Sequence, residues 1–449
     1  MSNRPKLAIV AGTLALCSLT SPPLSSAVAA GLLDAYQAAR QHDPAFTAAR
    51  YERDAGQYAV DIGRAGLLPT VSITGSYAKN TGERESTVVN VTQSLDYYDK
   101  QAAIILRQPL FNYDSYVRYQ QGGVQTAYSD AVFDRKEAEF ASKVSTAYFD
   151  VLLALERLAL TDAEIAAYGA QRELAQRRMR GGEGTLTDIA EAESRLQFAE
   201  AGRAEALDRV AVTTRVLQGI TGKPMRDLWA LRPDFMPTGI QPADLEAWSA
   251  LAQENSPEIR ARRKLVELAS LEVERNRAGH LPQLDFVARA VRAENETIST
   301  LNQKSSITTV GVQLNVPLYA GGRVDALTGQ AVANRGRAQA ELEVAINEAL
   351  VDVERQFLAV QTGISRVAAY QKAVDASLVA VKGNKRGMAA GIRTNTDVLD
   401  AERQMFVAKR DLAQARYEFL VSTLQLKAVA GVLSEKDIAE IEALLVPRS

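Results

Sequence analysis

Four segments of the chain alternate apolar and polar residues with a period of two. The alternation is clearest where Val310, Val312, Leu314 and Val316 are separated by Gly311, Gln313 and Asn315. The other three segments are 71–77, 102–107 and 284–290. This pattern predicts strands with one apolar and one polar face. Polar segments 80–96 and 294–305 connect the strands in pairs, so we expect two hairpins, at about 69–111 and 282–319, with these segments as loops.

Most of the remaining sequence has helical periodicity. Residues 113–180 contain no proline, and their counterpart runs over about 324–388. At about 1.5 Å per residue, each segment could form a helix about 100 Å long. A heptad seam rich in alanine follows the second long segment, at Val398, Ala401, Met405, Ala408, Leu412, Ala415, Phe419, Ser422 and Leu426. The seam predicts closely packed coiled coils, and a ring of helices is one outcome.

The second half of the chain repeats the first. Thr185, Thr187 and Asp188 recur as Thr394, Thr396 and Asp397, where 394 − 185 = 209, and the seam has a counterpart at 189–217 in which Arg203 is the main exception. The offset falls from 213 at Pro69 and Pro282 to 208 at Pro109 and Pro317, which predicts a loop of different length in the two hairpins. We therefore divide the chain into a first repeat at 31–222, a proline-rich connector at 223–242, a second repeat at 243–433 and a C-terminal tail at 434–449.

Residues 1–30 have the features of a secretory signal peptide. Arg4 and Lys6 precede an apolar run at 7–19, and small residues follow at 27–30. The run is too short to span a membrane, and no later stretch has the roughly 18 apolar residues that a transmembrane helix needs. Cys17 is the only cysteine and lies inside the signal, preceded by Leu16 where a lipid-modified cysteine requires a small residue. The mature chain can therefore form no disulfide and no thiolate metal site.

Composition narrows the possible functions. The 52 basic and 54 acidic residues are balanced, which argues against a nucleic-acid partner. Two histidines are few for catalysis or metal binding, and no hydrolase or zinc-protease motif is present. Gly219, Gly222 and Lys223 resemble a phosphate loop only loosely, because the spacing is wrong and Pro224 follows. We expect a protein that is not an enzyme and has no cofactor.

The strands point to an outer membrane. A tilted strand of about ten residues can cross such a membrane, but open sheet edges cannot lie in lipid, so the strands must close into a barrel. Four strands cannot close alone, and about eight form a barrel filled by its own side chains. Three chains would supply 3 × 4 = 12 strands and leave a conduit. The apolar face that carries Val310, Val312, Leu314 and Val316 would then contact lipid, and the long helices would lie in the periplasm.

The duplicated layout, the motifs at Pro109 and Pro317, and the two Thr-x-Thr-Asp turns resemble the TolC family of outer-membrane efflux and secretion channels. The resemblance covers about residues 31–435. It implies an α+β membrane protein whose internally duplicated protomer forms a homotrimer, with a 12-strand outer-membrane β-barrel continuous with a long periplasmic α-helical barrel. The tunnel would end in an iris at its periplasmic tip, in a Gram-negative bacterium.

The family resemblance also implies partners. Family members dock a periplasmic adaptor (membrane fusion) protein and an inner-membrane transporter. The run from Gly31 through Tyr36 and His42 to Pro44 is most similar to outer-membrane components of type I secretion, which pass secreted protein cargo and work with an ABC transporter. Two alternatives remain open: the outer-membrane component of a multidrug efflux pump, and a soluble periplasmic coiled-coil scaffold.

By the same resemblance, the periplasmic gate maps onto six residues. Arg393 matches the gate arginine, Asp397 and Asp400 match two acidic rings, and Thr187 and Asp188 match the partners that hold the gate closed. Met388 replaces a tyrosine that hydrogen-bonds across the gate in the family prototype. Because methionine cannot make that bond, we expect a more weakly latched closed state.

A simpler interpretation applies to some of these residues. Thr185 with Asp188, and Thr394 with Asp397, have the spacing of capping boxes that start helices. Asp400 has no such capping role. Since Asp397 and Asp400 are three residues apart, they share a helix face. Three copies around an axis would attract cations and could hold a multivalent metal ion.

Overall fold

The computed structural model describes residues 30–86, 88 and 91–447. Apart from its last residue, the predicted signal peptide lies outside this range. The described residues form ten α-helices: α1 (Leu32–His42), α2 (Pro44–Gln57), α3 (Ala59–Ala65), α4 (Tyr113–Arg180), α5 (Leu186–Thr221), α6 (Leu245–Asn255), α7 (Pro257–Arg277), α8 (Arg323–Ala389), α9 (Asn395–Val429) and α10 (Glu435–Glu442). They also form six strands: β1 (Thr70–Ser86), β2 (Val91–Phe111), β3 (Ala230–Leu231), β4 (Gln283–Glu294), β5 (Lys304–Asn315) and β6 (Leu445–Val446).

The two predicted hairpins join into one antiparallel sheet with the order β1-β2-β4-β5. Val310, Val312 and Leu314 lie on one face of β5, opposite Ala288, Phe286 and Leu284 of β4, and the three β5 side chains are exposed. Val316 follows the last residue of that strand. In a single chain, the sheet is open at β1 and at β5.

The prediction of a loop at 80–96 was wrong. Asn80 pairs with Tyr97, and the ladder continues as far as Ser86 and Val91. As a result β1 and β2 have 17 and 21 residues, whereas β4 and β5 have 12 each. Apart from Val91 and Leu95, the side chains of this extension are mostly polar, so the apolar alternation is largely lost although backbone hydrogen bonds continue. The length difference between the hairpins therefore lies in the strands as well as in the turn.

The long helices were predicted closely. α4 and α8 have 68 and 67 residues, and they pair with α5 and α9 into two coiled coils that belong to the two repeats. Along the α9 seam Val398, Met405, Leu412 and Leu426 are buried. On α5 the exception, Arg203, is exposed and pairs with Asp162 of α4 at 2.6 Å. The seam is therefore replaced locally by an ion pair.

The largest core lies where the two coiled coils meet the connector and both ends of the described chain. It contains Tyr148 of α4, Trp248 of α6, Phe357 of α8 and Phe419 of α9. The C-terminal segment contributes α10 and β6. Strand β6 pairs with β3 of the connector, Val446 opposite Ala230 and Leu445 opposite Leu231. The connector and the C-terminal tail, which we predicted as separate segments, thus pack together in one core. None of the described helices combines the length and apolar character needed to span a lipid bilayer.

Candidate functional site

The candidate site is formed by two tight turns at the ends of the coiled coils. One turn joins α4 to α5 through residues 181–185, and the other joins α8 to α9 through residues 390–394. Each turn contains a glycine in the left-handed region, Gly182 with φ of 80° and Gly391 with φ of 76°. Glycine adopts this conformation without the steric cost of a Cβ atom, which allows the chain to reverse sharply after a long helix.

Both turns end in capping boxes. In the second turn the Asp397 carboxylate accepts hydrogen bonds from the Thr394 amide at 2.8 Å and from its hydroxyl at 2.9 Å. The same arrangement links Asp188 to Thr185, at 2.9 and 2.7 Å. The capping interpretation of both aspartates is therefore confirmed. The hydrogen bonds from Thr394, assisted by the charge of Arg393, hold the pKa of Asp397 below its ordinary value.

Asp400 instead links helices from different coiled coils. Its carboxylate lies 3.0 Å from the Arg195 guanidinium of α5 and 3.8 Å from that of Arg403 on its own helix. Glu191 is the repeat counterpart of Asp400, and it accepts a hydrogen bond from the Thr396 hydroxyl of α9 at 2.6 Å. The two carboxylates therefore bridge α5 and α9 in opposite directions.

Two amides add to these contacts. The Asn395 side chain donates to the backbone carbonyl of Asp188 at 3.2 Å, which joins the starts of α5 and α9. The Asn384 side chain of α8 donates to the carbonyl of Asp397 at 3.1 Å. The tips of the two coiled coils are thus held side by side by polar contacts that water can replace when the helices separate.

The other sequence-predicted residues lie around the same turns. Arg393 is largely exposed, with its guanidinium 3.9 Å from the Asp397 carboxylate. Met388 is buried, and its carbonyl is 3.5 Å from the Arg178 guanidinium of α4. Thr187 is exposed in the first turn of α5. The structure therefore brings all six predicted gate residues to one end of the molecule.

Two buried carboxylates that were not predicted from the sequence lie further along the same helices, away from the turns. Glu402 of α9 pairs with Lys385 of α8 at 2.6 Å, although its own side chain is only 2% exposed. Glu164 of α4 pairs with Arg410 of α9 at 2.7 Å and accepts from the Tyr168 hydroxyl at 3.2 Å. A signal was available, because Glu402 and Glu193 occupy equivalent positions of the repeat, directly beside the seam.

This arrangement consists of ion pairs and amide contacts between helices. Within the described part of one chain, no group of three or more His, Cys, Asp or Glu residues is placed to hold a metal ion. The site can join or release two helical hairpins.

Comparison with known proteins gives a consistent result. The family model described as "Outer membrane efflux protein" matches residues 35–223 and 248–432. The chain is 36% identical over 423 residues to the proteases secretion protein PrtF of Dickeya chrysanthemi, covering 93% of this chain and 92% of that protein. It is 34% identical over 428 residues to the alkaline protease secretion protein AprF of Pseudomonas aeruginosa, covering 94% and 88%.

A solved structure has the same fold. The outer membrane protein VceC of Vibrio cholerae superposes with a TM-score of 0.77 at 16% identity, covering 89% of this chain and 96% of that one. The described sheet and paired long helices therefore match a known outer-membrane architecture.

Proposed function

Since the chain belongs to the outer membrane efflux protein family, we propose that it is the outer-membrane duct of a type I protein secretion system. The observation that carries this proposal is the similarity to PrtF and AprF, two proteins named for protease secretion, over more than nine-tenths of this chain. The chain is a passive channel of the outer membrane, with its helical part in the periplasm.

The sheet supports a trimeric duct. One face of β4 and β5 carries Phe286, Leu284 and the exposed valines, as expected for contact with lipid. The opposite face of the sheet carries an ion pair between Arg107 of β2 and Asp285 of β4 at 2.5 Å, as expected for a polar interior. The free edges at β1 and β5 can be satisfied by neighbouring chains, and three chains give a barrel wide enough to conduct.

We propose that the two tip turns form the periplasmic gate. The capping boxes keep the starts of α5 and α9 rigid, while the Asp400–Arg195 and Thr396–Glu191 contacts hold these helices together. An adaptor that binds the tips and competes for these polar contacts would let α9 move away from α5. The energy for transport then comes from an inner-membrane ABC transporter, since the duct has no reaction of its own.

Drug efflux is the second candidate, because the matching family is described by efflux. The two functions are separated by deleting the gene and measuring secreted proteins and susceptibility to several antibiotics in parallel. We expect the loss of one or a few proteins from the culture medium, with little change in susceptibility, and restoration by the wild-type gene. Unchanged secretion with increased susceptibility would contradict the secretion proposal and favour efflux.

A further inference from the structure

The first described residue is part of the folded core. Ala30 is only 7% exposed. Its carbonyl oxygen lies 3.1 Å from the hydroxyl of buried Tyr148 on α4 and accepts from the backbone amide of Trp229 in the connector at 3.3 Å. The same hydroxyl lies 3.0 Å from the Trp229 carbonyl. Ala30 therefore joins the beginning of α1 to α4 and to the connector.

Two carboxylates flank the residues that follow Ala30. Asp34 of α1 accepts a hydrogen bond from the Gly31 amide at 3.1 Å, and Glu442 of α10 accepts one from the Leu33 amide. A Cβ atom at Gly31 would lie 2.7 Å from the carboxyl carbon of Glu442, so the absence of a side chain permits this close approach. Among the described residues, neither carboxylate has a lysine or arginine partner.

From these contacts we infer that the chain is processed at the Ala29–Ala30 bond, so that Ala30 is the first residue of the mature protein. Ala27 and Ala29 place small residues at the two positions that signal peptidases recognise. Cleavage one residue later would remove the Ala30 carbonyl, together with its contacts to Tyr148 and Trp229. Cleavage after Ala27 would place the new amino group two residues away from the carboxylates.

Hydrolysis at this bond would give the carboxylates of Asp34 and Glu442 a positively charged partner. Water adds a hydroxyl to the carbonyl carbon of Ala29 and a hydrogen to the nitrogen of Ala30, which takes up a proton at neutral pH. The resulting ammonium group would be one peptide unit from the Gly31 amide, whose partner is Asp34 and whose Cα closely approaches Glu442, so both carboxylates would be near it. It supplies the positive charge that the two carboxylates lack, and only the processed chain has it.

The charge of Glu442 affects the buried Tyr148 phenol. Burial, followed by the Glu442 carboxylate, raises the pKa of the Tyr148 phenol. The titratable groups that the structure brings together here are therefore Asp34 on α1, Tyr148 on α4 and Glu442 on α10. The ammonium group of Ala30 would tie α1 to α10, and through β6 to the connector. Processing would thus stabilise the junction between the two ends of the chain after export.

The first test is the N-terminal sequence and intact mass of the protein purified from outer membranes. We expect the chain to begin at Ala30. A chain that begins at Val28, at Gly31 or at any other residue would overturn the assignment. This outcome is independent of the cargo, so a secretion defect and a different N-terminus report on separate proposals.

The second test measures the reactivity of the N-terminal amine. Mass spectrometry would follow acetylation of Ala30 by an N-hydroxysuccinimide ester near pH 7 in the wild type and in Glu442→Gln, whose amide oxygen can still accept from Leu33. A carboxylate partner raises the pKa of an amine, so the variant should react faster, about tenfold for a one-unit difference. Glu440→Gln, on the same helix but near Lys427, is the control and should react like the wild type.

Equal rates in the wild type and in Glu442→Gln would overturn the ion pair. Asp34→Asn provides a second variant in case Glu442→Gln does not assemble, and it should also react faster than the wild type. Equal rates for that variant would count against the assignment in the same way.

Discussion

Glu402 is a buried charge in the coiled coil of α8 and α9, and it needs a partner of opposite charge. Its carboxylate is almost fully buried on α9, and Lys385, which is 47% exposed, approaches it at 2.6 Å from α8. One carboxylate oxygen of Glu402 has no hydrogen-bond partner in the described residues. Removing the lysine would leave an unpaired charge in an apolar seam, which costs far more than the pair contributes.

We therefore predict that Lys385→Met destabilises the trimer by about 2–3 kcal/mol, below the full range for buried pairs because the lysine is half exposed. Adding Glu402→Gln should recover most of the loss, because the charge is then gone. The measurement is thermal unfolding in detergent, followed by the fluorescence of Trp229 and Trp248. A double variant no more stable than Lys385→Met would contradict this account.

Asp43 is a residue whose contribution to folding stability depends on pH. It caps α2 through the Ala45 and Phe46 amides and pairs with Lys143 at 2.6 Å. Burial tends to raise the pKa of Asp43, but the Lys143 contact and the two amide hydrogen bonds outweigh it and leave the pKa lowered. A depressed folded-state pKa contributes stability above the unfolded value of about 3.9, and that contribution is lost as pH falls through the folded value.

The predicted consequence is a flatter stability profile in Asp43→Asn, which keeps a capping oxygen but has no charge. Between about pH 5 and 3, the unfolding temperature should fall less in this variant than in the wild type. Asp54→Asn, an exposed site on the same helix, serves as the control and should keep the wild-type slope. A parallel fall in all three proteins would show that Asp43 does not contribute to the acid response.

At the scale of elements, sequence periodicity predicted those segments that have one apolar and one polar side. The α9 seam followed from spacing, because an apolar stripe must recur at each turn. The bounds of α4 followed from a long segment without proline, and those of α8 from the internal repeat. The paired segments 80–86 and 91–96 of β1 and β2 were not predicted, since most of their side chains are polar and their pairing rests on backbone hydrogen bonds. The capping boxes were predicted, whereas the partners of Asp400 and Glu191 were not, because contacts between two coils do not appear in local spacing.

Two roles of Asp400 in the proposed gate can be tested separately: its contact between α5 and α9, and its part in an acidic ring. Arg195→Gln and Asp400→Asn both break the ion pair between α5 and α9, but only the second removes the carboxylate. We predict that both variants raise single-channel conductance in planar bilayers, because the tips separate more easily. Only Asp400→Asn should also lower cation selectivity and block by trivalent ions.

Arg403→Gln is the matched control for this pair of variants, because Arg403 lies 3.8 Å from the same carboxylate but belongs to the same helix. It should change conductance little. Wild-type conductance in both Arg195→Gln and Asp400→Asn would exclude the contact as a latch. Unchanged cation selectivity in Asp400→Asn would exclude the ring.

At the scale of the molecule, strand count predicted an oligomer, because four strands cannot close and open edges are excluded from lipid. The trimer followed from a second argument, that eight strands give a filled barrel whereas twelve leave a conduit. The junction of Ala30, the connector and α10 was not predictable, since its residues are distant in sequence and lack periodicity. The pairing of β3 with β6, two residues each, is an example. Such short strands form only where the surrounding core already brings the segments together.

The central claim is that three chains close one barrel through β1 and β5. The chain has one cysteine, Cys17, which falls in the predicted signal peptide, so we expect no cysteine in the exported protein. Paired cysteines can therefore be introduced without background, at Thr70, Ser72 or Thr74 of β1 and at Thr309, Gly311 or Gln313 of β5. Since these strands are the two opposite edges of the sheet within a chain, a disulfide between them must join different chains.

Oxidation of outer membranes followed by non-reducing electrophoresis is the decisive measurement. Thr74→Cys with Ala103→Cys, which are direct partners within one chain, is the control and should form a disulfide without joining chains. For at least one β1–β5 combination we predict a ladder that ends at a three-chain species. Formation of the control disulfide while every β1–β5 combination remains a single chain would contradict the trimeric duct.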